Sequence, residues 1–435
     1  MRYRIATLGC PKNDVDSEMM GELLRRAGHS PVDSNRRADV LIVNTCAFVH
    51  DAREESYGAL RELAARKRRG QFLVAAGCLA QRYAAEIYRQ VPGVDAVLGT
   101  QSWPEITGIL ESLQRSKRSR PTIVEHSEAL ITSVPRRPAT GVSAYLKIAD
   151  GCSAACAFCA IPLIKGPQHS KPQEEILREA RELVDQGVRE IILIAQNTSA
   201  YGRDLGERDA LPGLLQAICD GVPGLEWLRI LYAYPQDVSP RLVETMARLP
   251  QVLSYVDLPL QHAHPDVLRR MRRPADVDAV RRLIADLRGA MPDIALRTTF
   301  IVGFPGETEE EFAALLAFIE EVRFDRVGVF AYSQETGTPA AEMADQVPAE
   351  VVAERYERAM VLQQGISLER NEEQVGRVLR VLLEGSGEGL TVGRSYRDAP
   401  EIDGLILMPG EYEAGGFADV RITAAQEYDL VGEVL

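Results

Sequence analysis

Residues 145–159 read YLKIADGCSAACAFC, an apolar run of strand character that breaks at Gly151 into a loop carrying Cys152, Cys156 and Cys159. The spacing is C-x3-C-x2-C, whereas a cubic iron–sulfur cluster takes four ligands, so three thiols would leave one iron open to a second molecule. A zinc knuckle is the alternative for such a loop. Zinc wants a fourth Cys or His at short range, and His169 is the one nearby candidate. The strand feeding the loop begins a series that continues with EIILIAQNT, LRILYAYP, YVDLPLQHAH, LRTTFIVGFPGE and RVGVFAYSQET, mostly separated by amphipathic stretches such as PQEEILREARELVDQG. Six strands with intervening helices predict a partial, incomplete parallel α/β barrel whose functional residues sit at the strand carboxyl ends. Thr308 and Glu311, after the Gly-Phe-Pro-Gly turn, form a capping-box pattern that opens a helix.

Upstream, three apolar runs each end on a cysteine: IATLGC at Cys10, DVLIVNTC at Cys46 and FLVAAGC at Cys78. Helix-like segments separate them, which predicts a parallel α/β three-layer domain with all three cysteines at the carboxyl edge of one sheet. A lone cysteine at a strand end is usually a small buried hydrophobe. Three at equivalent ends, with Gly9 and Gly77 permitting close backbone approach, make a second three-ligand pocket plausible on pattern. Cys219, in LPGLLQAICDGV, reads as a core residue. After a long helical stretch the texture changes near Gly376 to short strands broken by glycine-rich turns, as in a small closed β barrel. The expected division is 1–114, a linker over 115–141, a central domain over 142–370 and a terminal all-β barrel over 371–435.

The chain has 435 residues, 46% of them hydrophobic, enough for two to four domains. No uninterrupted apolar run reaches the ~18 residues of a membrane span, and MRYRIATLGCPKND lacks the pattern of a secretory signal, so a cytoplasmic location without membrane attachment is expected. Seven cysteines, an odd number, point to metal or redox chemistry rather than a disulfide scaffold.

The segments LGCPKNDVDSE, NTCAFVHDAREES and GCLAQRY, followed by IADGCSAACAFCAIP, resemble the methylthiotransferase family of radical S-adenosylmethionine enzymes over the whole three-domain length, the terminal barrel being similar to a TRAM domain. The resemblance implies two [4Fe–4S] clusters: an auxiliary one on Cys10, Cys46 and Cys78, and a radical-generating one on Cys152, Cys156 and Cys159 that binds S-adenosylmethionine. Phe158 matches the aromatic that precedes the last cysteine. In KGPQHSKP, Lys165 and Lys171 stand where relatives often carry arginine. Polar residues at the strand ends, Gln196, Asn197, Gln261, Arg297, Tyr332 and Gln334, are candidates to contact the cofactor, each with the alternative of satisfying a loop. His262 and His264 read more readily as loop histidines, and Gly303 and Gly306 as turn or close-approach positions.

The family has two main substrate classes, adenosine in transfer RNA and an aspartate of a small-subunit ribosomal protein. Residues 371–435 carry thirteen acidic residues against five arginines and no lysine, a net −8 of the chain's −13. Such a surface repels phosphate and attracts a basic protein. The segment GRSYRDAPEIDG is similar to that of the ribosomal-protein enzymes, so an acidic surface including Asp398, Glu401 and Asp403 is expected to face the substrate. The basic runs RKRRG and RSKRSR argue weakly the other way. The expectation is therefore methylthiolation at the β carbon of an aspartate in the small-subunit ribosomal protein number twelve. An electron donor such as flavodoxin or ferredoxin is expected as a partner, and RNA binding as weak or incidental. A tRNA adenosine methylthiotransferase is the first alternative and a non-enzymatic iron–sulfur electron carrier the second.

Overall fold

In a computed structural model of the protein, residues 1–115, 120–125, 136 and 141–435 are described. The expected linker, with most of its basic run, lies largely outside them. The amino-terminal region alternates β1 (Arg2–Thr7), α1 (Pro11–Arg26), β2 (Ser30–Pro31), β3 (Val40–Thr45), α2 (His50–Arg66), β4 (Phe72–Gly77), α3 (Cys78–Gln90), β5 (Ala96–Gly99), α4 (Ile106–Arg115) and β6 (Thr122–Ile123). Its strands form one parallel sheet in the order β2-β1-β3-β4-β5-β6. Strands β3 and β4 are buried along their whole length, which is why they read as unbroken apolar runs rather than alternating ones. Val40, Ile42, Val74 and Ala76 pack against α1 and α4, while Leu41, Val43, Leu73 and Ala75 pack against α2 and α3. The three layers follow from that alternation.

The central region runs β7 (Ser143–Lys147), β8 (Ala149–Asp150), α5 (Ile161–Lys165), β9 (His169–Ser170), α6 (Gln173–Asp185), β10 (Glu190–Ile194), α7 (Leu211–Gly221), β11 (Trp227–Ile230) and α8 (Pro240–Arg248). It continues with β12 (Tyr255–Gln261), α9 (Pro265–Arg270), α10 (Val277–Ala290), β13 (Ala295–Val302), α11 (Glu309–Val322), β14 (Arg326–Ala331) and α12 (Ala349–Glu372). Parallel strands β7-β10-β11 and β12-β13-β14 form two arcs, joined where Ala233 donates to Asp257 O at 2.9 Å and Leu253 to Leu228 O at 3.0 Å. The result is the expected open barrel of six strands. Ile191 and Leu193 of β10 pack outward on the helices, whereas Ile192 and Ile194 join a core shared with α1 of the amino-terminal domain. Helix α1 is thus covered from two sides, and buried residues occur all round it. The capping box of Thr308 and Glu311 opens α11 as expected.

Strands β15 (Val378–Gly387), β16 (Leu390–Arg394), β17 (Ile406–Pro409), β18 (Phe417–Ala425) and β19 (Leu430–Val434) close into a barrel in the order β15-β16-β17-β19-β18. This barrel is clamped to the central region by buried charge. Glu190 of β10 accepts from Arg229 at 2.7 Å and from Arg394 of β16 at 2.6 Å, with all three side chains fully covered. Arg326 of β14 pairs with Asp398 at 2.8 Å and Arg397 with Asp325 at 2.7 Å. Trp227 and Phe417 meet edge to face across the same boundary, with centroids 4.8 Å apart. No helix among the described residues is long and apolar enough to cross a membrane.

Candidate active site

The first triad is assembled by sheet topology. Cys10 caps the amino terminus of α1, Cys46 follows β3, and Cys78 is the first residue of α3. Gly9 has φ +98°, and a Cβ there would lie 2.7 Å from Cys46 Cβ and 2.9 Å from its Sγ. Gly77 has φ +90°, and its Cβ would meet Thr45 O at 2.6 Å as well as the Asn44 side chain. Only glycine tolerates both the backbone conformation and the crowding. Asn13 Nδ2 donates to Leu8 O at 2.7 Å and Thr45 O at 3.2 Å, while Asn44 Nδ2 donates to Asn13 O at 2.9 Å, so the cysteine loops are bonded to one another. Burial is the main force that pushes the Cys46 thiol up and the Cys78 thiol up to about 12, and the neighbouring cysteines add to it. Thiolates at Cys46 and Cys78 therefore require a strong positive centre.

The second triad lies in one loop. Gly151, at φ +77°, abuts the carbonyl of Pro167, and Cys152 N donates to Gly166 O at 3.1 Å. The loop is pinned at Ala157, whose N donates to Met271 O and whose O accepts from Ala340 N, both at 2.9 Å. Burial pushes the Cys159 thiol up to about 12 and raises that of Cys152. Arg273 Nη1 lies 3.8 Å from Cys156 Sγ, and its guanidinium stacks 3.8 Å from the Tyr234 ring centroid. Among the described residues, the one group of three Cys, His, Asp or Glu ligand atoms all within 4.8 Å of one another is His264, Asp266 and Glu311. That group includes none of the cysteines.

Between the triads lies a buried charge cluster that the sequence reading did not single out. Lys147 Nζ reaches Asp16 at 2.5 Å and Asp150 at 3.3 Å; Lys165 Nζ reaches Asp150 at 3.0 Å and Asp16 at 3.7 Å. Asp16 comes from α1, just past Cys10, and Asp150 immediately precedes the second cysteine loop. The positive charge of Lys165 also opposes the upward shift at Cys78. Lys171 is engaged elsewhere, by Glu179 at 2.5 Å.

The cofactor candidates divide sharply. Phe158, Ile301 and Tyr332 each pack against the buried cluster of Ala157, Val267, Met271, Phe304 and Ala340. Gln196 donates to Asp150 Oδ1 at 2.9 Å, while among the described residues its buried Oε1 and the buried Tyr332 hydroxyl have no partner. Gln261 ends β12 with φ +74° at a break in register. Three candidates are already committed. Asn197 donates to Asp237 at 2.9 Å and accepts from Ser199 at 2.9 Å. Arg297 pairs with Asp257 at 2.9 Å and Asp403 at 3.4 Å, and Gln334 bonds Ala341 O at 2.8 Å. His262 is buried against Glu307 at 3.2 Å, and His264 caps α9. Gly303 is confined by Val352 and makes the turn before α11. Cys219 packs against the central core, as expected.

The expected substrate surface is corrected at two of its three named residues. Asp398 bonds Arg326 and Ser395, and Asp403 bonds Tyr255 at 2.7 Å and Ala399 N at 2.9 Å; both side chains face inward. Glu401 alone is exposed. The interior takes Arg394 and Arg397 together with Asp398 and Asp403, so the residues left outside keep the net −8 of the composition.

Three family profiles match the chain: the uncharacterized protein family UPF0004 over residues 2–99, the radical SAM superfamily over 146–319 and the TRAM domain over 375–435. The chain is 53% identical to the ribosomal protein uS12 methylthiotransferase RimO of Roseiflexus sp. (strain RS-1), covering all of this chain and 97% of that one. It is 51% identical to the protein of the same description from Chloroflexus aurantiacus, each covered in full. Among solved structures it resembles the radical S-adenosylmethionine methyltransferase TsrM from Kitasatospora setae, with TM-score 0.58 and 14% identity over 90% of this chain and 80% of that one. The cobalamin-dependent radical enzyme OxsB gives TM-score 0.53 at 9% identity over 83% and 56%. At these identities the structures speak for the fold alone.

Proposed function

The chain belongs to the RimO family of ribosomal protein uS12 methylthiotransferases, and on that premise we propose how its residues divide the reaction. It is a radical S-adenosylmethionine enzyme that acts on ribosomal protein uS12, with [4Fe–4S] clusters and S-adenosylmethionine as cofactors. Cys152, Cys156 and Cys159 would hold the cluster that serves S-adenosylmethionine, and Cys10, Cys46 and Cys78 would hold the auxiliary cluster. When bound, these groups supply one-electron cleavage of a sulfonium and delivery of a methylated sulfur, chemistry that an unactivated C–H bond requires. Phe158, the Tyr332 hydroxyl and the carbonyl of Gln196 would hold the cofactor beside the second triad. Lys147 and Lys165, with Asp16 and Asp150, fix the separation of the two triads. Arg273 fixes the cysteine loop through Cys156. The working units are residues 1–114, 142–370 and 371–435.

The recipient is the β carbon of an aspartate. The observation that carries a protein substrate over RNA is the barrel surface, where Glu388, Glu411, Glu413, Asp419, Glu427 and Glu433 are exposed against Arg380 and Arg421. RNA binding is weak on such a surface, and a basic ribosomal protein is attracted. A small flavodoxin or ferredoxin supplies electrons, and the cytoplasm is where enzyme and substrate meet. Mass spectrometry of uS12 incubated with the reconstituted enzyme should show an adduct of about 46 Da, as expected from replacing hydrogen by S–CH3, on one aspartate. An unmodified uS12, together with methylthiolated adenosine in transfer RNA, would sink the reading.

A further inference from the structure

Four lysines are buried in the described structure: Lys12, Lys147, Lys165 and Lys171. The last three each hold a carboxylate. Lys12 is 7% exposed, and among the described residues it has no carboxylate within 4.0 Å and no hydrogen bond; its Nζ sits 3.5 Å from the centroid of the Tyr232 ring. A π face compensates an ammonium only in part, so the Lys12 Nζ, which has no counter-charge of its own among the described residues, is open to an anion.

The position of Lys12 narrows which anion. It lies two residues past Cys10, on the first turn of α1, and its side chain crosses to Tyr232, just beyond the carboxyl end of β11. It therefore bridges the first triad and the mouth of the central barrel. Tyr232 is held there as a platform: at φ +60° it is one of few non-glycine residues in the left-handed region, its N donates to Asp257 Oδ2 at 3.1 Å, and its O accepts from Thr198 N at 3.0 Å. Backbone strain of this kind persists only where surrounding bonds enforce it.

We propose that Lys12 is a specificity-determining residue that takes the side-chain carboxylate of the target aspartate of uS12. The inference rests on the reading of the substrate as an aspartate. In that side chain the carboxylate is bonded directly to the β carbon, so an ammonium holding the carboxylate sets the reacting carbon one bond away. Adenine offers no anion to this position, and the phosphates of RNA would have to pass the acidic barrel.

The test measures binding of labelled uS12 to the anaerobically reconstituted holoenzyme by fluorescence anisotropy. It compares uS12 with a form in which the modified aspartate is replaced by asparagine. The wild-type enzyme should prefer the aspartate form by about 30-fold, the scale of truncating one partner of a buried charge pair. Lys12→Met should bring that ratio to near one with iron and sulfide content unchanged, and Lys12→Arg should restore most of it. If Lys12→Met does not fold, Lys12→Gln is read in the same way. An undiminished ratio in the variant overturns the proposal. So does loss of auxiliary iron at an unchanged ratio, which would make Lys12 a counter-charge for the cluster. A wild-type enzyme that modifies no aspartate overturns the substrate reading itself, and this inference with it.

Discussion

The two cysteine triads reach a similar chemical composition by opposite routes. Cys152, Cys156 and Cys159 occupy eight consecutive residues on one loop, whereas Cys10, Cys46 and Cys78 are gathered from three strand ends across 69 residues of chain. The loop triad is partly exposed throughout, while Cys46 and Cys78 are buried. A local motif can be built wherever a strand ends and can open toward a small molecule. A distributed one exists only once the sheet is formed, and it is sealed by the elements that form it. The difference teaches that the first triad should be the more sensitive to folding and the second the more directly tied to the cofactor.

The largest effect that could break this comparison is a functional separation. Cys156→Ser should lower cleavage of S-adenosylmethionine by about three orders of magnitude or more, because the chemistry resides in the cofactor it helps hold. Cys46→Ser should leave cleavage measurable while uS12 acquires no adduct. Chromatography of 5′-deoxyadenosine and mass spectrometry of uS12 read the two outcomes. Equal loss of cleavage in both variants would mean that the triads do not divide the work.

A smaller effect sharpens the folding side. Gly77→Ala forces a Cβ against the Thr45 backbone, which cannot yield as a flexible side chain would. A cost of about 3 kcal/mol and loss of about half of the bound iron are expected. Chemical denaturation and iron analysis check both, and the loop triad should keep its spectroscopic signature.

The smallest effect concerns what holds the domains behind both triads. Arg229 and Arg394 outweigh burial at Glu190 and hold its carboxyl down to about 2, against an ordinary value of 4.5. A folded value below the unfolded one means that the stabilisation is complete above about pH 4.5 and fades as pH falls toward 2. Fluorescence of Trp227, packed on Phe417, should report barrel separation in that window. Glu190→Gln should be less stable at neutral pH and show a shallower acid transition, whereas an identical acid transition would remove Glu190 as its cause.

What was legible in the sequence tracks the same local and distributed division. The loop triad, the parallel order of the first three cysteine-ended strands, the six-stranded arc and the terminal barrel all follow from spacing and periodicity. Arg273 was not visible, because it stands 117 residues from the Cys156 it approaches. The orientation of Asp398 and Asp403 was misread for the same reason: their partners, Arg326, Tyr255 and Arg297, lie on central strands far upstream. Asn197 lies past the carboxyl end of β10, where a ligand contact is expected, whereas Arg297 lies near the amino end of β13, away from that edge; acids engage both, Asp237 the first and Asp257 with Asp403 the second. Lys12 was not visible either, because its helix start, PKNDVDSE, is mostly polar and only the fold buries it.

The charge clamp at Glu190 makes the terminal barrel a jig rather than an arm. A module hung on a slack tether would search for its target and tolerate many lengths between grip and cut. If the substrate grips the barrel as proposed, one bolted to the central sheet acts as a gauge, accepting only a partner whose grip point and target residue are spaced to match, and adaptation falls to the visitor.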